Sequence, residues 1–501
     1  MSRINTNVQS LIAQRVLGQN NKSLNTALTR LSTGLRINRG KDDPAGLIAS
    51  ENLKAEITSL NSAVSNAERA DQVVNIAEGG LQEVSGLLEE LQGLLVSSAN
   101  TAGLSQAEKE ANQDQIDSIL GTVDRLASST NFQGIKLLNG NFDYTTTNVS
   151  GGVTDFSING AKFDGTSQDV DVVVTNSAQQ GTLFLSFGGA ALDFSAGSSF
   201  TLEVSGSLGS REVSFTSGNT LAQVAASINT FTDVTGAIAT VSGTGISIQS
   251  ENYGSREFVS VKTGGDATVV GDGVYGVDAA DTNTTTGSAT TFANATNPVR
   301  DEGQNVDGTI NGIAAVGDGN SLSVNTDFLN VDITLDTTGT INSQTLGGGT
   351  AFTINGGGAD FQLGSNVSIG DKVSIGVGDV ATRKLGTEAL GFLDELGSGQ
   401  AFNVVDGNDL NTAQRIVDEA IEQVSSTRGR LGAFQKNVVG ATIRSLGVAV
   451  ENSAAANSLI VDADFASETA SLTRNQILSS AAQNTLSLAN QQPQAALQLL
   501  G

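Results

Sequence analysis

From Leu53 onward apolar residues recur at alternating steps of four and three: Ile57, Leu60, Val64, Ala67, Ala70, Val74, Ala77, Leu81, Val84, Leu88, Leu91 and Leu95. Only the step from Ala67 to Ala70 repeats a three. This heptad stripe predicts one helix about 43 residues long, or roughly 65 Å at 1.5 Å per residue. Globular helices average about 11–12 residues, so the length is the unusual feature. The carboxyl side repeats the pattern at Ala413, Val417, Ala420, Val424, Thr427, Leu431, Phe434, Val438, Ala441, Ser445 and Val448. A shorter stripe, Ile116, Ile119, Val123 and Leu126, predicts a third helix after a break near residues 101–104. Closer to the amino end, Leu17, Leu24, Leu28, Leu31 and Leu35 keep the same spacing, with Asn21 as the polar member. Near the carboxyl end, Ala466, Ala470, Thr473, Ile477, Ala481, Asn484 and Leu488 form a thinner, alanine-rich seam. Residues 35–46 (LRINRGKDDPAG) read as a non-helical connector, because Pro44 and three glycines from Gly34 to Gly46 interrupt the pattern.

Between the helical flanks the pattern changes period. Glycine numbers 10 in residues 1–132, 43 in residues 133–401 and 6 in residues 402–501. Short runs such as residues 169–174, 182–187, 200–204 and 212–215, in a stretch rich in Thr, Ser, Val, Asn and Asp, predict strands joined by turns. The fold class is therefore α+β, with long helical coiled-coil arms, discontinuous in sequence, enclosing an inserted β-rich region.

Charge sharpens this division. The chain carries −26 overall, and residues 141–380 hold 6 Lys or Arg against 25 Asp or Glu, a net of −19. An acidic middle argues against nucleic acid or an anionic membrane as partner. Close-packed subunits cannot bury such charge, because screening acts over about 8 Å in physiological salt. The insert is therefore expected in solvent, with the near-neutral arms free to crowd together. No apolar block of signal-peptide type follows the amino end, and no run long enough to span a membrane occurs. An extracellular destination then needs a signal-independent export route.

Composition also narrows the chemistry. The chain has no Cys, His or Trp, which removes thiolate sites, the commonest general base and the commonest transition-metal ligand. The best paired carboxylates, Asp42 with Asp43 and Asp462 with Asp464, read as connector and helix-cap residues. Glycine clusters at residues 347–349 and 356–358 lack the phosphate-loop spacing and lysine, and read as turns. Asp-Gly pieces in the middle do not form a spaced calcium loop. No catalytic, cofactor-binding or metal residue is assigned.

Residues 1–40 and 455–501 contain 23 Leu, Ile, Val or Phe among 87 residues. A two-helix pair covers only one side of each helix, so these ends are expected to be disordered in a free subunit. They would fold when copies of the chain cover their outer faces. The self-assembly residues expected from the seams are Leu17, Leu24, Leu28, Leu31, Leu35, Ile477, Ala481 and Leu488.

The amino end INTNVQSLIAQR, followed by SLNTALTRLSTGLRINRGKDDPAGL, resembles bacterial flagellin. The carboxyl end resembles it too, in TRGRLGAFQKNV and in DADFASETASLTRNQILSSAAQNTLSLANQQPQAALQLL. The likeness covers roughly residues 1–175 and 383–501. It implies an inner coiled domain from residues 1–40 and 455–501. Around it would lie a helical domain with a β-hairpin from residues 41–176 and 383–454, and residues 177–382 would be outer and surface-exposed. Residues 201–261 resemble a small flagellin repeat, strands flanking one helix that begins near Asn219. The resemblance further implies a homopolymeric filament for swimming, outside the cell. Its partners would be cap and hook-junction proteins, an export chaperone and the flagellar secretion apparatus. Rival readings are a hook–filament junction protein, or an adhesin on a helical scaffold. Family members seen by the animal flagellin receptor usually carry arginines in the stretch matching residues 89–100. Glu90 and Gln92 stand there here, with Leu94 retained, so weak recognition is expected.

Overall fold

The computed structural model describes residues 6–100, 103–163, 165–194, 199–265, 271–277, 286–337, 349–406 and 409–498. Its chain order sets helices α1 (Val8–Thr33), α2 (Pro44–Ser98) and α3 (Gln106–Ser129) before the strands. Helices α4 (Leu221–Asn229) and α5 (Thr232–Thr235) lie among the strands, and α6 (Leu410–Ala433), α7 (Gly440–Val461) and α8 (Phe465–Gln498) follow them. The fold is α+β as expected. The chain divides into two compact units. One takes the residues up to Gln72, Phe361–Asp371 and everything from Ala433; the other takes Val73–Asp360 and Lys372–Gly432.

In the second unit, the heptad stripe of α2 is buried at every predicted position from Val74 to Leu95. Ile116, Ile119 and Val123 of α3 are buried as well, as are Ala413, Val417, Ala420, Val424 and Leu431 of α6. Polar groups tie these helices together. Arg428 Nε donates to Glu78 Oε1 at 2.9 Å, and Gln92 Nε2 donates to Asp418 Oδ1 at 2.5 Å. The break before α3 is closed by a capping box, in which Ser105 and Glu108 satisfy each other's exposed backbone N–H groups.

The β-rich part of this unit holds two cores. One lies between a five-stranded sheet (Thr286–Thr290, Gly273–Gly276, Thr182–Ser186, Gly245–Ser250, Ala237–Ser242, in spatial order) and a four-stranded one. The latter runs Val299–Glu302, Phe258–Gly265, Phe200–Gly206, Ser210–Phe215. Leu202 and Val204 are buried here with Leu221, Val224 and Ile228 of α4. Alternation along Phe200–Gly206 is regular, every second residue facing inward. Over residues 201–261 strands flank α4, which is capped by Thr220, and the short α5 follows it where one helix was expected. The second core joins the sheet containing Gln168–Asn176 and Gly349–Gly357 to the one containing Leu329–Leu335 and Val153–Ala161. The strand pairings in both cores are antiparallel.

Two expectations need correction. Residues 356–358 are not a simple turn: Gly356 and Gly357 end a strand at a register shift, with positive φ. A Cβ at Gly357 would lie 2.2 Å from the Asp143 carbonyl oxygen, so close backbone approach selects glycine. Residues 347–348 of the other cluster fall outside the described residues. The carboxyl stripe also slips. It holds through Phe434, but Ser445 and Val448 are exposed. A π-helical turn, Phe434–Val439, adds one residue to the helix, and Gly440 N–H bonds Gln435 O five residues back. The covered face downstream runs one place later, through Val439, Thr442, Leu446 and Ala449.

Burial places several charges under strain. Burial pushes the Glu419 carboxyl above the usual carboxylate range; Gln423 opposes this, and Glu422 and Asp155 add to it. Burial likewise raises Asp155. A carboxyl raised in the fold is penalised when ionised, so the penalty is full above its folded value and vanishes near its unfolded value. Glu419→Gln should therefore raise the urea midpoint at neutral pH, with the gain shrinking to nil as pH falls to about 4. Deleting Asn437, exposed in the π-turn, should restore an unbroken heptad stripe. Its unfolding free energy should stay within about 1 kcal/mol of the parent or rise, as read by denaturant melts.

Candidate self-assembly interface

The first unit brings the chain ends together. Asn7 caps α1 by accepting the Ser10 N–H, and Gly34, at φ +71, ends it. The connector is anchored rather than free. Arg36 N–H donates to Val461 O at 2.6 Å, and its guanidinium donates to Ile460 O. Asp42 accepts the N–H groups of Asn38 and Arg39, and Asp43 accepts that of Gly46. Asp464 accepts the N–H groups of Ala466 and Ser467 at the start of α8. These carboxylates are capping residues, as read from the sequence. Beyond the connector, Ser50 Oγ donates to Asn457 at 2.7 Å and Gln435 Nε2 donates to Asp71 at 2.9 Å, so α2 and α7 run antiparallel. The loop from Phe361 reaches the same helices through Ser59 Oγ donating to Ser365 O and through the ring of Phe361 6.0 Å from that of Phe434.

Helices α1 and α8 also pack antiparallel. Asn7 Nδ2 donates to Ala489 O at 2.7 Å, Asn20 Nδ2 to Leu478 O at 3.2 Å and Arg30 Nη1 to Glu468 Oε1 at 2.9 Å. The covered residues of α1 are Ser10, Ala13 and Ala27, with Leu17, Asn20, Leu24 and Leu31 half-buried between them. On α8 they are Ser479, Ala482 and Ala489, with Glu468, Leu472, Asn475 and Leu486 half-buried. Both sets keep strict three–four spacing. Small side chains let the two backbones approach, and Cα atoms of the pair come within 8 Å.

This differs from the seams read from hydrophobicity. Leu17, Leu24 and Leu31 do face α8, and Leu35 is half-buried in the connector, bridged to Asp462. Leu28, however, is 45% exposed, and its place in the seam belongs to Ala27. Ile477 and Leu488 are each 64% exposed and Ala481 is exposed. The seam of α8 lies on another face, where Ser479, Ala482 and Ala489 are covered and Leu472 and Leu486 are half-buried. Val8, Leu11, Ile12, Val16 and Leu478 join the outward set. The sequence signal for this, small residues at heptad spacing beside a second apolar stripe, is present but weak. Glu90 is exposed, and Gln92 and Leu94 are half-buried on α2. Among the described residues, no group of three or more acidic, His or Cys side chains is placed to hold a metal, and no helix is long and apolar enough to cross a membrane.

Comparison with known proteins bears on both arms. The family description "bacterial flagellin N-terminal helical region" matches residues 4–143, and "bacterial flagellin C-terminal helical region" matches residues 414–500. The chain is 30% identical to the B-type flagellin of Pseudomonas aeruginosa, over 99% of each chain. It is 28% identical to flagellin D of Vibrio anguillarum and 29% identical to a flagellin of Salmonella typhimurium, again over 99% of each. With both helical arms matched and a relative aligned from end to end, the chain belongs to the bacterial flagellin family and is a structural subunit of the flagellar filament.

Proposed function

We propose that copies of this chain join through the outward apolar face of the α1–α8 pair, with Leu28, Ile477 and Leu488 as its principal contacts and Ala481 beside them. Leu17, Leu24, Leu31 and Leu35 serve assembly indirectly, by holding the pair together. One observation carries the reading: the fully covered positions of the pair hold alanine and serine, while Leu28, Ile477 and Leu488 stand exposed. Fully covering a Leu or Ile is worth about 1.5–3 kcal/mol, and a polymer collects that gain at every copy.

In this reading residues 1–40 and 455–501 form the inner wall of the filament. Residues 41–176 and 383–454 surround it, and residues 177–382 point outward. The −19 of residues 141–380 supports that radial order, since charge is cheapest in solvent. The chain works mechanically rather than catalytically, outside the cell. Its ends stay unfolded through export, accompanied by a chaperone and the secretion apparatus, and order as they meet earlier subunits, the hook junction or the cap. Glu90 and Gln92 make it a weak ligand for the animal flagellin receptor.

Circular dichroism should show more helix in polymer than in monomer, and equal content would contradict folding on assembly. Leu28→Asp and Ile477→Asp should each abolish sedimentable filaments while leaving a soluble subunit with unchanged β-sheet signal. Filaments of normal length from either variant would refute the interface.

A further inference from the structure

The apolar part of the α1–α8 seam does not by itself fix how far one helix slides along the other. In one direction a shift of one heptad would bring Leu17, Leu24 and Ala27 against Ala489, Ala482 and Ser479, again small side chains. The polar members behave differently. Ser10 Oγ donates to Asn490 Oδ1 at 2.7 Å, Ser479 Oγ donates to Asn21 Oδ1 at 2.8 Å, and Arg30 pairs with Glu468 at 2.9 Å. These three levels lie nine to eleven residues apart on α1, at its start, middle and end.

A slip of seven residues breaks all three at once. Arg30 would then face Asn475 or Val461 in place of Glu468. Asn21 would face Leu472 or Leu486 in place of Ser479. Glu468 is the half-buried member of its pair, its side chain only 14% exposed, so losing Arg30 would leave a carboxylate poorly solvated and unpaired. A single polar residue at a seam position is known to select register in coiled coils at some cost in stability. Here the selection falls on an intramolecular pair.

We infer that Arg30–Glu468, with Asn21–Ser479 and Ser10–Asn490, is a register key: it sets the axial alignment of α1 on α8 and so the pattern of outward side chains offered to the next copy. Arg30 and Glu468 are positioning residues; they act through the placement of Leu28 and Ile477. The inference rests on the assembly reading above.

The chain has no cysteine, so paired cysteines report register without background. From the Asn21–Ser479 level, Leu24 stands beside Asn475 in the observed alignment and beside Ala482 or Glu468 after a one-heptad slip. Two reporters, Leu24→Cys with Asn475→Cys and Leu24→Cys with Ala482→Cys, are assembled, oxidised and run on non-reducing gels. Intramolecular bridges keep monomer mobility, which separates them from links between copies. With Arg30 and Glu468 intact, the 24–475 bridge should dominate. Arg30→Glu should lower it by about fivefold or more relative to the 24–482 bridge, and filaments should shorten or change their supercoil. Adding Glu468→Arg to Arg30→Glu should restore both the bridge and the filament form, which a merely space-filling role would not do. An unchanged bridge ratio in Arg30→Glu, or no recovery in the reversed pair, overturns the key. Failure of the assembly reading looks different: filaments then survive Leu28→Asp whatever the bridge ratio.

Discussion

The constraint on which the subunit turns is the narrow groove between α1 and α8. Two helices that close on alanine and serine come near enough for their polar side chains to reach each other's backbone, as Asn7 and Asn20 do. At the fully covered positions the side chains are alanine and serine, the leucines of the seam stay half-buried, and Leu28, Ile477 and Leu488 stand outside. A globular protein would cover such residues with a third element of its own chain. Here those residues stay exposed, although the chain also builds four further long helices and a β-rich region with separate cores. In a filament-forming family, that apolar exterior is a resource.

Where a single chain does supply the third element, packing is conventional. Helices α2, α3 and α6 bury wide stripes of Leu, Ile and Val, and their polar crosslinks sit at the margins. The contrast between these stripes and the terminal seam lies in side-chain volume at the same heptad spacing. Periodicity alone therefore locates both but does not say which one is complete.

That is also the limit of what was legible beforehand. The stripe of α2 could be read almost residue by residue, because large apolar side chains at heptad positions have one place to go. The strands around Val170, Leu202 and Val213 were equally plain from alternation, and the one around Leu183 from a short apolar run, since it is buried on both faces. The terminal seam was misplaced on α8 because Ile477 and Leu488 outweigh Ser479 and Ala482 on any hydrophobic scale, while the groove selects for size. The shift beyond Phe434 was invisible for another reason. A π-turn has no propensity signature in FQKNVV, and its effect appears only when downstream burial is compared with upstream. Side-chain pairs distant in sequence, such as Arg30 with Glu468, need the antiparallel alignment before they can be named.

The size-graded seam has a consequence for how such a chain can change length. Each residue of an α-helix advances the side-chain direction by about 100°. Deleting one residue early in α1 would turn Ala27 outward and bring Leu28 to its covered place, an insertion would bring Thr26 there, and every position beyond would follow. The strand-connecting loops carry no such phase, since an added residue there is absorbed locally. A change of length is thus easier to absorb in those loops, and the terminal helices tolerate substitution better than a change in residue count.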